Sequence, residues 1–188
     1  DLPDKFTSNR VMEAINAYLL DVRVKVIEVK STVFDAHARF SAISREYEYS
    51  ILNRSSPPAL NAGKNWHQRL PQLDVDKMQI AANHLIGTHD FTSFRATQCQ
   101  SKSPLKTLDL LTIERNGETI NIKAKAKSFL HHQIRNIAGT LVLVGRGKWN
   151  PNQIVDCLKM KNRTAAGPTA PAEGLVLKKI LYPNEIYI

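Results

Sequence analysis

The stretch TINIKAKAKSFLHHQIRNIAG (Thr119–Gly139) changes period in its middle, and that change decides the fold. Up to Lys127 the residues alternate. Ile120, Ile122, Ala124 and Ala126 fall on one side; Asn121, Lys123, Lys125 and Lys127 fall on the other. Period two means a strand with one face on a core and one face outward. After Ser128 the period becomes helical, with Leu130, Ile134, Ile137 and Leu141 on one stripe. The spacing predicts a helix over 129–144 that ends at Gly145. On such a helix His131 and Arg135, four apart, share a second face. An arginine cannot shed its charge, so on an apolar helix it should meet a carboxylate or a phosphate, unless it snorkels to solvent.

Upstream, 107–114 and 118–126 read as two strands joined through Asn116-Gly117, a hairpin signal. Glu46–Leu52 is another strand, with Tyr47, Tyr49 and Ile51 on one face, and Leu175–Tyr182 is a last one. Val22, Val24 and Val26 alternate with polar residues, which predicts a short strand. Helices are predicted over 7–19 behind a Ser8 cap, over 74–86 between an Asp74 cap and Gly87, and from Asn150-Pro151 onward. Residues 55–64, 87–103 and 163–174 read as loops. The expected class is α+β: a mixed, largely antiparallel sheet flanked by helices.

The 188 residues carry 26 Lys and Arg against 17 Asp and Glu, a formal net charge of +9. That surplus points to a polyanionic partner, nucleic acid first. Cys99 and Cys157 form no CxxC pair, which excludes a disulfide scaffold and a thiolate zinc site and fits a reducing, cytoplasmic setting. His131-His132 with Arg135 is not a metal-ligand spacing either, so no metal site is expected. No run reaches the ~18 apolar residues of a membrane span. Lys123 and Lys125 form either a solvated sheet face or a track for phosphates. In the loop 87–103, Phe91 and Phe94 are core plugs and Asp90 a cap, or else Arg95 and Lys102 meet RNA phosphates. Tyr47 is either a core residue or a stacking platform for a base.

Four ordered blocks resemble the tRNA pseudouridine synthase A family. HARFSAISREYEYSI (His37–Ile51) is similar to its F-H-A-R-F-S-A…R-x-Y-x-Y segment, and GTHDFTSFRATQCQSKSP (Gly87–Pro104) to its D-F-T-S-F-R…C-x-S block. KAKAKSFLHHQIRNIAGTLVLVG (Lys123–Gly145) resembles its F-L-H-H-x-V-R-N-I-x-G helix, and AEGLVL (Ala172–Leu177) its A-x-G-L-x-L strand. The resemblance runs through nearly the whole chain. It implies a pseudouridine synthase fold and an isomerase that converts uridine to pseudouridine at positions 38, 39 and 40, in the anticodon stem-loop of tRNA. It implies a homodimer in the cytoplasm with no cofactor. The family's nucleophile is the aspartate of an R-T-D-A-G motif. No aspartate of this chain sits in one; Asp35-Ala36-His37-Ala38 shows only its tail, inside the later F-H-A-R segment. Residues 1–188 are therefore expected to be a single C-terminal catalytic-domain fragment, inactive alone, without the N-terminal domain that bears the nucleophile.

Carried over by motif, Arg135 is the active-site arginine that pairs with that aspartate, and a fixed cation of this kind holds a carboxylate ionised. Tyr47 is the residue that stacks on the flipped uracil, and Leu175 packs on the base. Extraction of the base is required because its reacting atoms cannot be reached inside a stacked stem. The implied reaction detaches the base from its ribose, rotates it and rejoins it through carbon 5. Arg95, Lys102, Lys123, Lys125 and His131 are the candidate RNA contacts. Lys127-Ser128 and the pair Glu46 and Glu48, which flank Tyr47, depart from the family's usual residues without removing a site residue. The competing reading is a non-catalytic, basic RNA-binding module on the same scaffold.

Overall fold

The computed structural model describes residues 6–188, in two compact units. Ile43–Leu181 form the larger; the residues up to Ala42 together with Tyr182–Ile188 form the smaller.

In the larger unit six strands make one sheet: β1 Ser44–Asn53, β2 Trp66–Gln68, β3 Gly87–Asp90, β4 Leu105–Asn116, β5 Thr119–Ala126 and β6 Leu175–Leu181. β1 lies at its centre. On one side follow β5, β4 and β3, all antiparallel. The other side of β1 is shared: β6 pairs antiparallel with Ser44–Tyr49, and the short β2 pairs parallel with Ile51–Asn53. The α+β expectation holds. The hairpin is tighter than the sequence suggests, because Gly117 adopts φ +59° and lets both strands run to the turn.

The helices α2 (Val75–Asn83) and α3 (Gln133–Gly145) cover the inner face of this sheet. β5 alternates as its sequence predicts: Ile120, Ile122, Ala124 and Ala126 are buried, and the lysines between them are not. Ile51, Leu111, Ile120, Ile122, Ile137 and Leu141 are all fully buried in this core. Each such side chain contributes roughly 1.5–3 kcal/mol by leaving water. Asp74 caps α2 as expected, accepting the Lys77 N–H at 3.0 Å. Asn150 and Gln153 exchange hydrogen bonds at the start of α4 (Gln153–Met160).

Three expectations fail here. Residues 129–132 do not belong to α3. The helix starts at Gln133 because His132 takes a left-handed conformation, φ 60° and ψ 9°. His131 therefore shares no helical face with Arg135. Gly87–Asp90, read as loop, is an edge strand on β4, and Trp66–Gln68 is a strand that no alternation announced. Both are short and held through the backbone, which leaves little mark on side-chain pattern.

The smaller unit contains α1 (Ser8–Tyr18), capped by Thr7 rather than Ser8. Val22, Val24 and Val26 form no strand. The Asn16 side chain takes the place of a partner strand, bonding Val26 N–H and C=O at 2.8 Å each. A bridge between Thr32 and Tyr187, and a hydrogen bond from the Tyr182 hydroxyl to the Ala38 carbonyl at 2.7 Å, join the two ends of this unit. Among the described residues no helix is long and apolar enough to cross a membrane.

Candidate functional site

The turn before α3 is sewn to the loop that follows β3. Ala96 N–H donates to the His131 carbonyl (3.1 Å), and His131 N–H donates to Cys99 Sγ (3.3 Å). Inside α3, the buried Asn136 donates to the Phe94 carbonyl at 2.8 Å. Phe91 and Phe94 are themselves fully buried, and Asp90 accepts both the N–H and the hydroxyl of Thr92. The loop is thus an ordered platform rather than a mobile arm.

A second loop, residues 163–171, lies across α3 from the other side. Arg163 ties it down, donating to the Gly167 carbonyl (2.9 Å), Asn136 Oδ1 (3.1 Å) and Thr169 Oγ1 (2.9 Å). Contact with the helix is close enough to need glycine: a Cβ on Gly139 would stand 1.8 Å from the Pro168 carbonyl oxygen. This docking delivers Ala170 to Arg135. Ala170 N–H donates to the Arg135 carbonyl (3.1 Å), and Arg135 Nε–H donates to the Ala170 carbonyl (2.7 Å).

Arg135 is half-buried on the first turn of α3. Its Nη1 meets His132 Nε2 at 3.1 Å. Among the described residues no carboxylate lies within ion-pair distance of it. Nη2 has no hydrogen-bond partner among them either. The guanidinium is therefore held by neutral groups, with donors left to take an anion.

Tyr49 links the other site residues to this arginine. It is fully buried, and its hydroxyl donates to the Pro171 carbonyl at 2.7 Å. Burial pushes its pKa well up; the Arg135 charge opposes that rise and Glu173 adds to it, so both lie within electrostatic range. Leu175 is the register partner of Tyr49 on β6. Gly174 makes that approach possible, since a Cβ there would stand 2.8 Å from the Tyr49 ring. Tyr47, two residues along the same face, is half-buried and meets Phe129 edge-on at 5.1 Å. Leu175 and Tyr47 thus both neighbour Tyr49, the residue within electrostatic range of Arg135.

The other candidates are dispersed. Lys123 and Lys125 lie on the opposite face of the sheet, paired across strands with Glu114 (2.8 Å) and Glu46 (3.4 Å); Lys178 and Glu48 extend this ladder at 3.5 Å. Arg95 turns inward and donates to the carbonyls of Cys99 and Ser101. Lys102 is exposed on the same loop, and His131 is exposed with its ring 3.8 Å from that of His132. For the Cys99 thiol, burial raises the pKa. Hydrogen bonds from His131 and Ser101, with the Arg95 charge, outweigh it and bring the value below the usual thiol range. No group of three or more His, Cys, Asp or Glu among the described residues could hold a metal ion.

Sequence reasoning missed Ala170 and the Arg163–Asn136–Thr169 tie. A backbone carbonyl has no side-chain signature, and the tie joins positions far apart in the chain.

The sequence model of a family described as tRNA pseudouridine synthase matches residues 81–183. The chain is similar to the tRNA pseudouridine synthase A of Acidiphilium cryptum (strain JF-5), with 51% identity over 183 residues, 97% of this chain and 71% of that protein. It is 48% identical to the tRNA pseudouridine synthase A of Gluconobacter oxydans (strain 621H), over 98% of this chain and 68% of the relative. Identity to that of Rhodospirillum centenum (strain ATCC 51521 / SW) is 49%, over 97% and 74%.

Proposed function

Because this chain belongs to the tRNA pseudouridine synthase A family, we propose that it acts on tRNA as an isomerase, converting uridines 38, 39 and 40 of the anticodon stem-loop to pseudouridine. Arg135 carries this reading: its guanidinium is held by Ala170 and His132, within electrostatic range of Tyr49, with no carboxylate partner among the described residues. The nucleophilic aspartate is supplied from outside these 188 residues and meets the open edge of Arg135. Paired there, it stays ionised and oriented for attack. Tyr47 stacks on the extracted uracil and Leu175 packs against it.

RNA phosphates are met first by Lys102 and His131, which are exposed. Lys123 and Lys125 would have to leave their carboxylates to do the same. The protein works as a cytoplasmic homodimer.

Tritium release from C5-labelled tRNA tests the reading. The 188-residue chain alone should show no turnover. In the whole protein, Arg135→Ala should remove turnover while the fold persists. Turnover by the isolated chain would sink the account of the aspartate, and near-parental turnover by the variant would sink the role of Arg135. Unchanged tRNA binding without turnover by the whole, unsubstituted protein would instead favour a non-catalytic RNA-binding module.

A further inference from the structure

We propose that His132 is a positioning residue: its neutral ring accepts a hydrogen bond from Arg135 and fixes the plane in which the guanidinium presents itself to its anionic partner. The inference rests on the reading of Arg135 given above.

Three observations carry it. His132 sits at the start of α3 with φ 60° and ψ 9°, a region that residues with a Cβ rarely occupy. Such an outlier persists only where its surroundings demand it. Its side chain gives no capping bond to the helix, so capping does not account for the conformation. Its ring instead accepts from Arg135, whose Nη1 donates to Nε2 at 3.1 Å. With Nε anchored on Ala170, this second anchor fixes the plane of the guanidinium and leaves Nη2 for the ligand.

The bond also sets the protonation state. A guanidinium nitrogen can only donate, so Nε2 must accept and the ring proton must sit on Nδ1. A protonated ring would turn a donor against a donor and a cation against a cation. The two groups whose charge acts on it both favour the neutral ring. They are Arg135 on α3 and His131, whose ring lies 3.8 Å away. The neighbouring loop meets His131 rather than His132: Arg95 donates to the Cys99 carbonyl, and the Cys99 sulfur takes the His131 N–H. No carboxylate is ion-paired with His132 among the described residues. Burial first, then His131 and Arg135, lower its pKa below the ordinary imidazole value.

Two substitutions in the whole protein separate the bond from the backbone. Asn tolerates the left-handed conformation, but its amide is too short to reach Arg135 as Nε2 does. Gln places an amide oxygen near the position of Nε2 and cannot be protonated. With the tritium-release assay between about pH 5 and 8, His132→Asn should lower kcat about 10- to 100-fold at unchanged tRNA affinity, the loss expected of a misplaced group. His132→Gln should restore most of kcat and flatten the acid limb of the pH profile. A parental kcat in His132→Asn, or an unchanged acid limb in His132→Gln, would overturn the proposal. Should Asn lower the unfolding midpoint, the Gln profile decides alone. Arg135→Ala, run beside them, separates the two readings. If it is inactive while His132→Asn is parental, only the positioning role fails. If it is active, the role of Arg135 fails as well.

Discussion

At the scale of single residues, Tyr49 shows how one side chain can serve fold and site together. It fills the core completely, yet spends its hydroxyl on the Pro171 carbonyl, next to the alanine that anchors Arg135. Tyr49→Phe keeps the ring and strands that carbonyl. Chemical denaturation should show a loss of about 1 kcal/mol, the usual size of one such bond, with the folded spectrum otherwise unchanged. Arg135 was legible in the sequence because a guanidinium on an apolar helix needs an anion or an exit. His132 was not. Its contact with Arg135 depends on a left-handed residue that starts the helix one turn late, and helical periodicity assumes no such residue.

At the scale of elements, β5 and α3 from Gln133 onward followed their patterns and the edges did not. Alternation marks a strand with one face on a core. β2 and β3 are three and four residues long and are held by main-chain pairing, which any sequence can offer. The loop 163–171 is the least legible element and the one the site most depends on. Its place is set by Gly139, where the helix surface must be bare for Pro168 to pass. Gly139→Ala should destabilise the protein by about 1–3 kcal/mol or more through overpacking. Native-state hydrogen exchange should then show early opening of the Ala170 amide, which donates to Arg135.

At the scale of the whole molecule, charge sets the behaviour with acid and with salt. The Thr92 side chain holds the Asp90 carboxyl below the usual carboxylate range. Burial opposes that shift, and the Thr92 N–H and Lys161 add to it. Hydrogen bonds from Lys77, side chain then backbone, do the same for Asp74. Their folded pKa values lie below the unfolded ones, so the unfolded chain binds more protons. Their contribution is present above the unfolded pKa and is lost as pH falls through the folded values. Stability should therefore decline below about pH 4, and Asp90→Asn should flatten that decline in pH-dependent denaturation. With a formal charge of +9, tRNA binding should weaken linearly in log affinity against log salt. A filter-binding series without that slope would contradict a phosphate-driven encounter.

By itself the sequence determined the sheet and helix class, the buried faces of β5 and α3, the basic balance and the family to which the motif blocks point. These are local or compositional properties: a period, a cap, a spacing, a count. Only the tertiary structure decided which neutral groups hold Arg135, that Lys123 and Lys125 pair with carboxylates away from it, and that His132, left-handed just before the helix begins, reaches it. Those contacts depend on the relative placement of loops and strands from distant parts of the chain. No one-dimensional pattern records that placement, because close packing establishes it only when every element is present.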